Sequence, residues 1–210
     1  MNPQRFDADL RAAVVRNLAR LCAATAAQPQ AALKRAAVCV ILTADEHGAP
    51  AVLLTRRASH LNAHAGQFAF PGGRMDADES PVDAALRETS EEIGMSLAPQ
   101  AILGRLDDYP TRSGYLITPL VAWAAADTPM QANPDEVAAI YRVPITDIAR
   151  PGSPEFVSIP ESDRPVVRYP ILGTRIHAPT AAVLYQFIEV AILGNTTSVA
   201  HLEAPIWAWR

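Results

Sequence analysis

Glu88, Glu91 and Glu92 recur at the i, i+3 and i+4 spacing that lines side chains along one flank of a helix. Like charges so placed repel by about 0.2–0.5 kcal/mol per pair, and carboxylates in the last turns face the negative end of the helix dipole, at about 0.3–1 kcal/mol each. A solvated charged face is the ordinary explanation of such a cluster. A divalent cation reverses both penalties. Hard cations such as Mg²⁺ take one or two carboxylates together with phosphate oxygens and water. The spacing therefore fits metal-assisted chemistry on a diphosphate as well as it fits a solvated acidic face.

The helix that must carry these groups is well marked. Ser80 stands as N-cap, Pro81 at the first helical position, Asp83 completes a capping box and Gly94 supplies the stop. At about 100° per residue, Val82, Leu86, Thr89 and Ile93 share one arc, expected to be buried. The three glutamates lie on a different side, expected to be the charged one.

The stretch GGRMDADESPVDAALRETSEEIGM resembles the Nudix box, a glycine, five residues, Glu, seven residues, Arg-Glu, an aliphatic, any residue, Glu-Glu, any residue, Gly and an aliphatic. Gly73, Glu79, Arg87, Glu88, Glu91, Glu92, Gly94 and Met95 fall on its defined positions; Thr89 departs, standing where an aliphatic is usual. The resemblance implies an α/β fold, the Nudix-type α/β/α sandwich with a mixed sheet and a loop-helix-loop catalytic motif. It also implies a pyrophosphohydrolase that uses Mg²⁺ or Mn²⁺. By position, Glu88, Glu92, Glu91 and Gly73 make up the candidate metal site. Arg87 holds a carboxylate in place and Glu79 supports the loop. The general base stays open between Glu91, Glu88 and, outside the box, Glu136 of NPDEV.

The preceding segment, LLTRRASHLNAHAGQFAFPGG, resembles the signature of the coenzyme A pyrophosphatase subgroup. Leu53, Leu54, Thr55, Arg57, Ala58, Gly66, Phe70, Pro71, Gly72 and Gly73 match in unbroken spacing, and Asn62 replaces an arginine. This implies coenzyme A or acyl-coenzyme A as substrate, cleaved to 3′,5′-adenosine diphosphate and a 4′-phosphopantetheine product. Coenzyme A carries a 3′-phosphate besides its diphosphate, and Arg57, Arg56, His64 and Arg74 are the candidate contacts. The missing arginine at Asn62 leaves open ADP-ribose, a dinucleotide or a nucleoside triphosphate. A Nudix domain that binds nucleotide without cleaving it is a further reading, opposed by the full set of box acids.

Around these motifs the pattern predicts an amphipathic helix over residues 6 to 24, with Phe6, Leu10, Val14, Leu18 and Leu21 on one face. Strands are expected at 37 to 43, 51 to 56, 102 to 106, 115 to 124 and 137 to 143, with more near 156 to 159, 166 to 169 and 175 to 177. A last helix is expected over 179 to 193. Residues 57 to 72 hold too many His, Gly and Pro breaks for regular structure and read as an ordered functional loop.

The chain of 210 residues, 50% hydrophobic and 19% charged, suits one core domain. The expected division is an N-terminal helix and connection (1–35), a Nudix domain (36–195) and a C-terminal extension packing on it (196–210). A net charge of −4 without a basic stripe argues against nucleic acid, and no apolar run is long enough to cross a bilayer. The expected partner is a small molecule, and the expected location is the cytoplasm. Cys22 and Cys39 match no metal-ligand spacing and read as structural. Trp207, Trp209 and the N-terminal helix are candidates for core or homodimer contacts.

Overall fold

Leucines and a valine at spacings of four and three make α1 (Ala8–Ala24), in which Leu10, Val14, Leu18 and Leu21 are buried. Just before it, Phe6 stacks on Trp123 with ring centroids 3.9 Å apart. A computed structural model describes residues 5–24, 33–61 and 65–206; of residues 22–24 only the backbone is described. Asn62, His64, Trp207, Trp209 and the side chain of Cys22 lie outside this description.

Next come β1 (Lys34–Ala44), β2 (Pro50–Arg57), β3 (Phe68–Ala69), β4 (Gly72–Arg74) and α2 (Pro81–Ile93). They are followed by β5 (Ile102–Arg105), β6 (Tyr109–Pro110), β7 (Tyr115–Trp123), β8 (Val137–Pro144) and α3 (Ile145–Ile148). β9 (Glu155–Ile159), β10 (Ser162–Tyr169), β11 (Ile176–His177) and α4 (Thr180–Gln186) complete the described order. The last helix differs from expectation in its winding: α4 continues as a π-helix over Phe187–Ile192.

The large sheet is mixed. β1 runs parallel to β7 from Lys34 opposite Tyr115 to Leu42 opposite Trp123, and antiparallel to β2. β1 and β2 pair directly only at Leu42 to Ala44, because they then diverge. The segment expected to be irregular fills that gap. β3 pairs with Thr55 and Arg56 of β2, and β4 pairs with Ala36, Ala37 and Val38 of β1. Diverging strands leave backbone N–H and C=O groups without partners, and satisfying them outweighs the poor strand propensity of Gly and Pro. Cys39 accordingly donates its N–H to the Pro71 carbonyl at 2.8 Å.

Alternation along β1 divides the core. Ala37, Cys39 and Ile41 face α2 together with Ala84, Ala85, Ile93 and Met95. Val40 and Leu42 face the larger cluster formed with α1, α4 and its π-helical continuation. The result is an α/β/α sandwich. The antiparallel sheet β9–β10–β11 packs beside α4. Among the described residues no helix is long and apolar enough to cross a membrane.

Candidate active site

The start and stop of α2 are those the sequence predicts. The Ser80 hydroxyl accepts from the Asp83 N–H at 3.2 Å and donates to the Asp83 carboxylate at 2.6 Å. Gly94 adopts φ 63°, a left-handed cap that favours glycine. The carbonyls of Glu92 and Ile93 receive the N–H groups of Asn133 and Gln131 at 2.9 and 2.8 Å. These bonds satisfy helix-end acceptors and lead the chain from 131 toward Glu136.

The helix is rotated further into the protein than its apolar residues imply. Its buried positions are Ala84, Ala85, Thr89, Glu92 and Ile93, whereas Val82 and Leu86 are only half-buried. The expected separation of a buried arc from an acidic side is thus corrected at Glu92, which is 4% exposed. Small alanines let the helix approach β1 closely, and that approach carries Glu92 and half-buried Glu88 beneath β4. Thr89, the departure from the aliphatic, is satisfied by donating to the Ala85 carbonyl at 2.6 Å, and it hydrogen-bonds the buried thiol of Cys39. Burial pushes the Cys39 thiol up to about 12, which makes it inert, as expected.

Two backbone positions of β4 shape the pocket. Gly72 donates its N–H to Glu92 Oε2 at 3.3 Å. At Gly73 a Cβ would lie 2.3 Å from Glu88 Oε1, so only glycine admits the carboxylate. Burial raises the Glu92 carboxyl to about 7, opposed by the Gly72 N–H and Arg57 and reinforced by the charges of Glu88 and Glu136. Burial likewise raises Glu88, opposed by Arg87 and reinforced by Glu91 and Glu136.

Arg87 organises the other carboxylates. Its Nε and Nη2 form a fork on Glu79, at 2.9 and 3.0 Å. Nη1 donates to Glu88 Oε1 and Glu91 Oε2, both at 3.0 Å, and Nη2 also reaches the Arg74 carbonyl at 3.1 Å. Glu79 in turn accepts the Asp76 N–H at 3.1 Å, which closes the loop before α2. The guanidinium holds Glu79 below its ordinary range. Glu91, more than half exposed, pairs with Arg87 at the solvent side of the cluster.

Of the other sequence-predicted residues, Arg57 reaches this cluster, with Nη1 3.8 Å from Glu92 Oε1, while its Nε is buried without a hydrogen bond. Glu136 belongs to the same electrostatic cluster through Glu88 and Glu92. Its carbonyl accepts the Ala58 N–H at 2.8 Å, and His60 Nε2 bonds the neighbouring Asp135 carbonyl at 3.1 Å. Arg56 and Arg74 do not join the carboxylates. Arg56 lines a cavity with Phe68 and Tyr141, and the Arg74 guanidinium lies 5.9 Å from the centroid of the Tyr115 ring. The Gly72 N–H, the Arg74 carbonyl and the docking of residues 131 and 133 carry no sequence signal, since each is backbone chemistry set by chain segments far apart.

A hard divalent cation fits the donor set. Glu88 and Glu92 are carboxylates drawn from water whose charge is incompletely matched, and oxygen is the donor such ions prefer. Among the described residues no group of three or more His, Cys, Asp or Glu side chains is gathered as a metal cage. Where a diphosphate meets such carboxylates, hydrolysis is the chemistry the arrangement can assist.

Comparison with known proteins agrees with this geometry. Residues 33–161 match the family model described as NUDIX domain. The chain is 44% identical over 97 residues to "Uncharacterized Nudix hydrolase NudL" of Yersinia pestis (strain Pestoides F), covering 46% of this chain and 49% of that protein. The same figures hold for NudL of Yersinia pseudotuberculosis serotype O:1b, so the match spans about half the length of these relatives. In fold, the chain is similar to a MutT/nudix family protein from Enterococcus faecalis, with TM-score 0.52, 20% identity, and coverage of 89% of this chain and 72% of that one.

Proposed function

Because the chain belongs to the NUDIX family, we propose that it hydrolyses the diphosphate of coenzyme A or an acyl-coenzyme A, releasing 3′,5′-adenosine diphosphate and 4′-phosphopantetheine or its acyl form. One observation carries the reading. Arg57, from the upstream pattern that resembles the coenzyme A subgroup, meets Glu92 of the carboxylate helix at 3.8 Å. A guanidinium beside the metal-binding carboxylates is placed to receive a phosphate oxygen when the ion takes the carboxylate.

In this reading Glu88 and Glu92 hold Mg²⁺ or Mn²⁺, with Glu91 at the solvent side and Gly73 keeping the space. The ion supplies charge neutralisation at phosphorus and a more acidic water. Arg87 fixes the orientation of Glu88 and Glu91. Water adds to one phosphorus, the bridging P–O bond breaks, and the proton of the water passes to a carboxylate, Glu91 or Glu88, with Glu136 the alternative. The proposed organisation is 1–35 as helix and connection, 36–195 as catalytic domain and 196–210 as extension; the match over 33–161 supports its central part.

The test is product identification by mass with coenzyme A and Mg²⁺ or Mn²⁺, comparing the parent with Glu92→Gln and Glu88→Gln. The expected result is both products from the parent and a loss of at least about a hundredfold in each variant. Release of neither product by the parent refutes the assignment, and a panel with ADP-ribose, dinucleotides and nucleoside triphosphates then identifies the substrate.

A further inference from the structure

Across β2 from the carboxylates lies a cavity of about 460 Å³, within the roughly 300–1,000 Å³ of small-molecule sites. Arg56, Arg175, His177 and Thr174 contribute polar groups to its wall, and Phe68 and Tyr141 contribute rings with centroids 5.3 Å apart. Among the described residues no carboxylate lines it, although the chain as a whole carries −4. Arg56 is exposed and forms no ion pair among the described residues. Among the described residues the acidic partner of Arg175 is Glu155, which it shares with Arg168. The wall therefore has positive charge left for an anion. Burial and the nearby arginines hold the His177 imidazole below its ordinary range.

The cavity is coupled to the carboxylate site by covalent neighbours. Arg56 and Arg57 are successive residues at the end of β2, about 3.4 Å apart along the strand, and they point to opposite sides. Arg57 also exchanges backbone bonds with the cavity wall, donating to the Gln67 carbonyl at 2.9 Å and accepting the Gly66 N–H at 3.2 Å. The end of β2 thus carries one arginine to the cavity and the next to the carboxylates.

We propose that the cavity between Arg56, Arg175 and the Phe68–Tyr141 pair is a subsite for a nucleoside bearing its own phosphate monoester, the end of the substrate away from the cleaved diphosphate. The rings offer a surface to a planar base, and the guanidinium groups offer charge-assisted donors to the monoester. The identity of that end as the 3′-phosphoadenosine of coenzyme A rests on the function proposed above. The subsite gives Arg56 a role apart from the carboxylates, and it places specificity in residues that the box does not contain.

Direct binding tests the proposal without turnover. The metal-free protein is titrated calorimetrically with 3′,5′-adenosine diphosphate and with 5′-adenosine monophosphate, alongside Arg56→Gln and Arg175→Gln variants whose melting curves match the parent. The expected result is that the parent binds the bisphosphate at least about tenfold more tightly, as one charge-assisted contact supplies, and that Arg56→Gln abolishes the preference while Arg175→Gln reduces it. A parent without the preference, or variants that retain it in full, overturns the subsite. A parent that shows the preference yet leaves coenzyme A uncleaved overturns the proposed function and supports the subsite. Cleavage of coenzyme A without the preference does the reverse.

Discussion

Glu92→Gln removes a charge that the folded protein holds at the expense of its own stability. The folded state binds the Glu92 proton more tightly than the unfolded chain does, with a pKa of about 7 against an ordinary 4.5. Stability of the metal-free protein therefore falls as pH rises through that window. Linkage puts the destabilisation by the ionised carboxylate at about 3 kcal/mol at pH 8 and under about 1 kcal/mol at pH 5. Glutamine keeps an oxygen to accept the Gly72 N–H, so the substitution deletes the charge and retains the neighbour. Urea unfolding in chelator across this pH range is the assay. The metal-free variant is expected to exceed the parent by roughly 2–3 kcal/mol at pH 8 and nearly to match it at pH 5. Mg²⁺ or Mn²⁺ then stabilises the parent at pH 8 and leaves the variant much less affected. A stability difference that is flat between pH 5 and pH 8 refutes the reasoning, because a buried, incompletely matched carboxylate has to generate that slope.

Gly73→Ala forces the Glu88 carboxylate away from a Cβ that would stand 2.3 Å from it, and a displacement on that scale lowers kcat by about a hundredfold; steady-state kinetics check it. Arg87→Lys keeps the charge but loses the fork on Glu79 and the simultaneous hold on Glu88 and Glu91, so metal affinity falls by about 10- to 100-fold in a calorimetric titration. Comparing Glu91→Gln with Glu136→Gln assigns the base. The larger kcat loss, about 10²- to 10⁴-fold, is expected at Glu91, and turnover of Glu136→Gln within about twofold of the parent removes Glu136 from the mechanism.

The sequence by itself determined what is local. Ser80, Pro81 and Gly94 bracket α2 because caps act over a few residues, and the 3.6-residue period locates the buried edge of α1 at Leu10, Val14, Leu18 and Leu21. That Arg87 holds a carboxylate and that Glu79 supports the loop was legible from the motif, whereas their direct pairing, eight residues apart, is a finding of the structure; Cys39 reads as structural from its apolar surroundings and is buried. The strands β3 and β4 were not legible, since their pairing depends on where β1 and β2 diverge and not on the propensity of FAFPGG. Periodicity also misplaced Glu92, for an apolar arc cannot show how closely Ala84 and Ala85 let the helix settle on β1. Arg56 and Arg57 look equivalent in sequence. Tertiary structure sends one toward Tyr141 and Arg175 and the other toward Glu92, because successive side chains at a strand end face different layers of the sandwich.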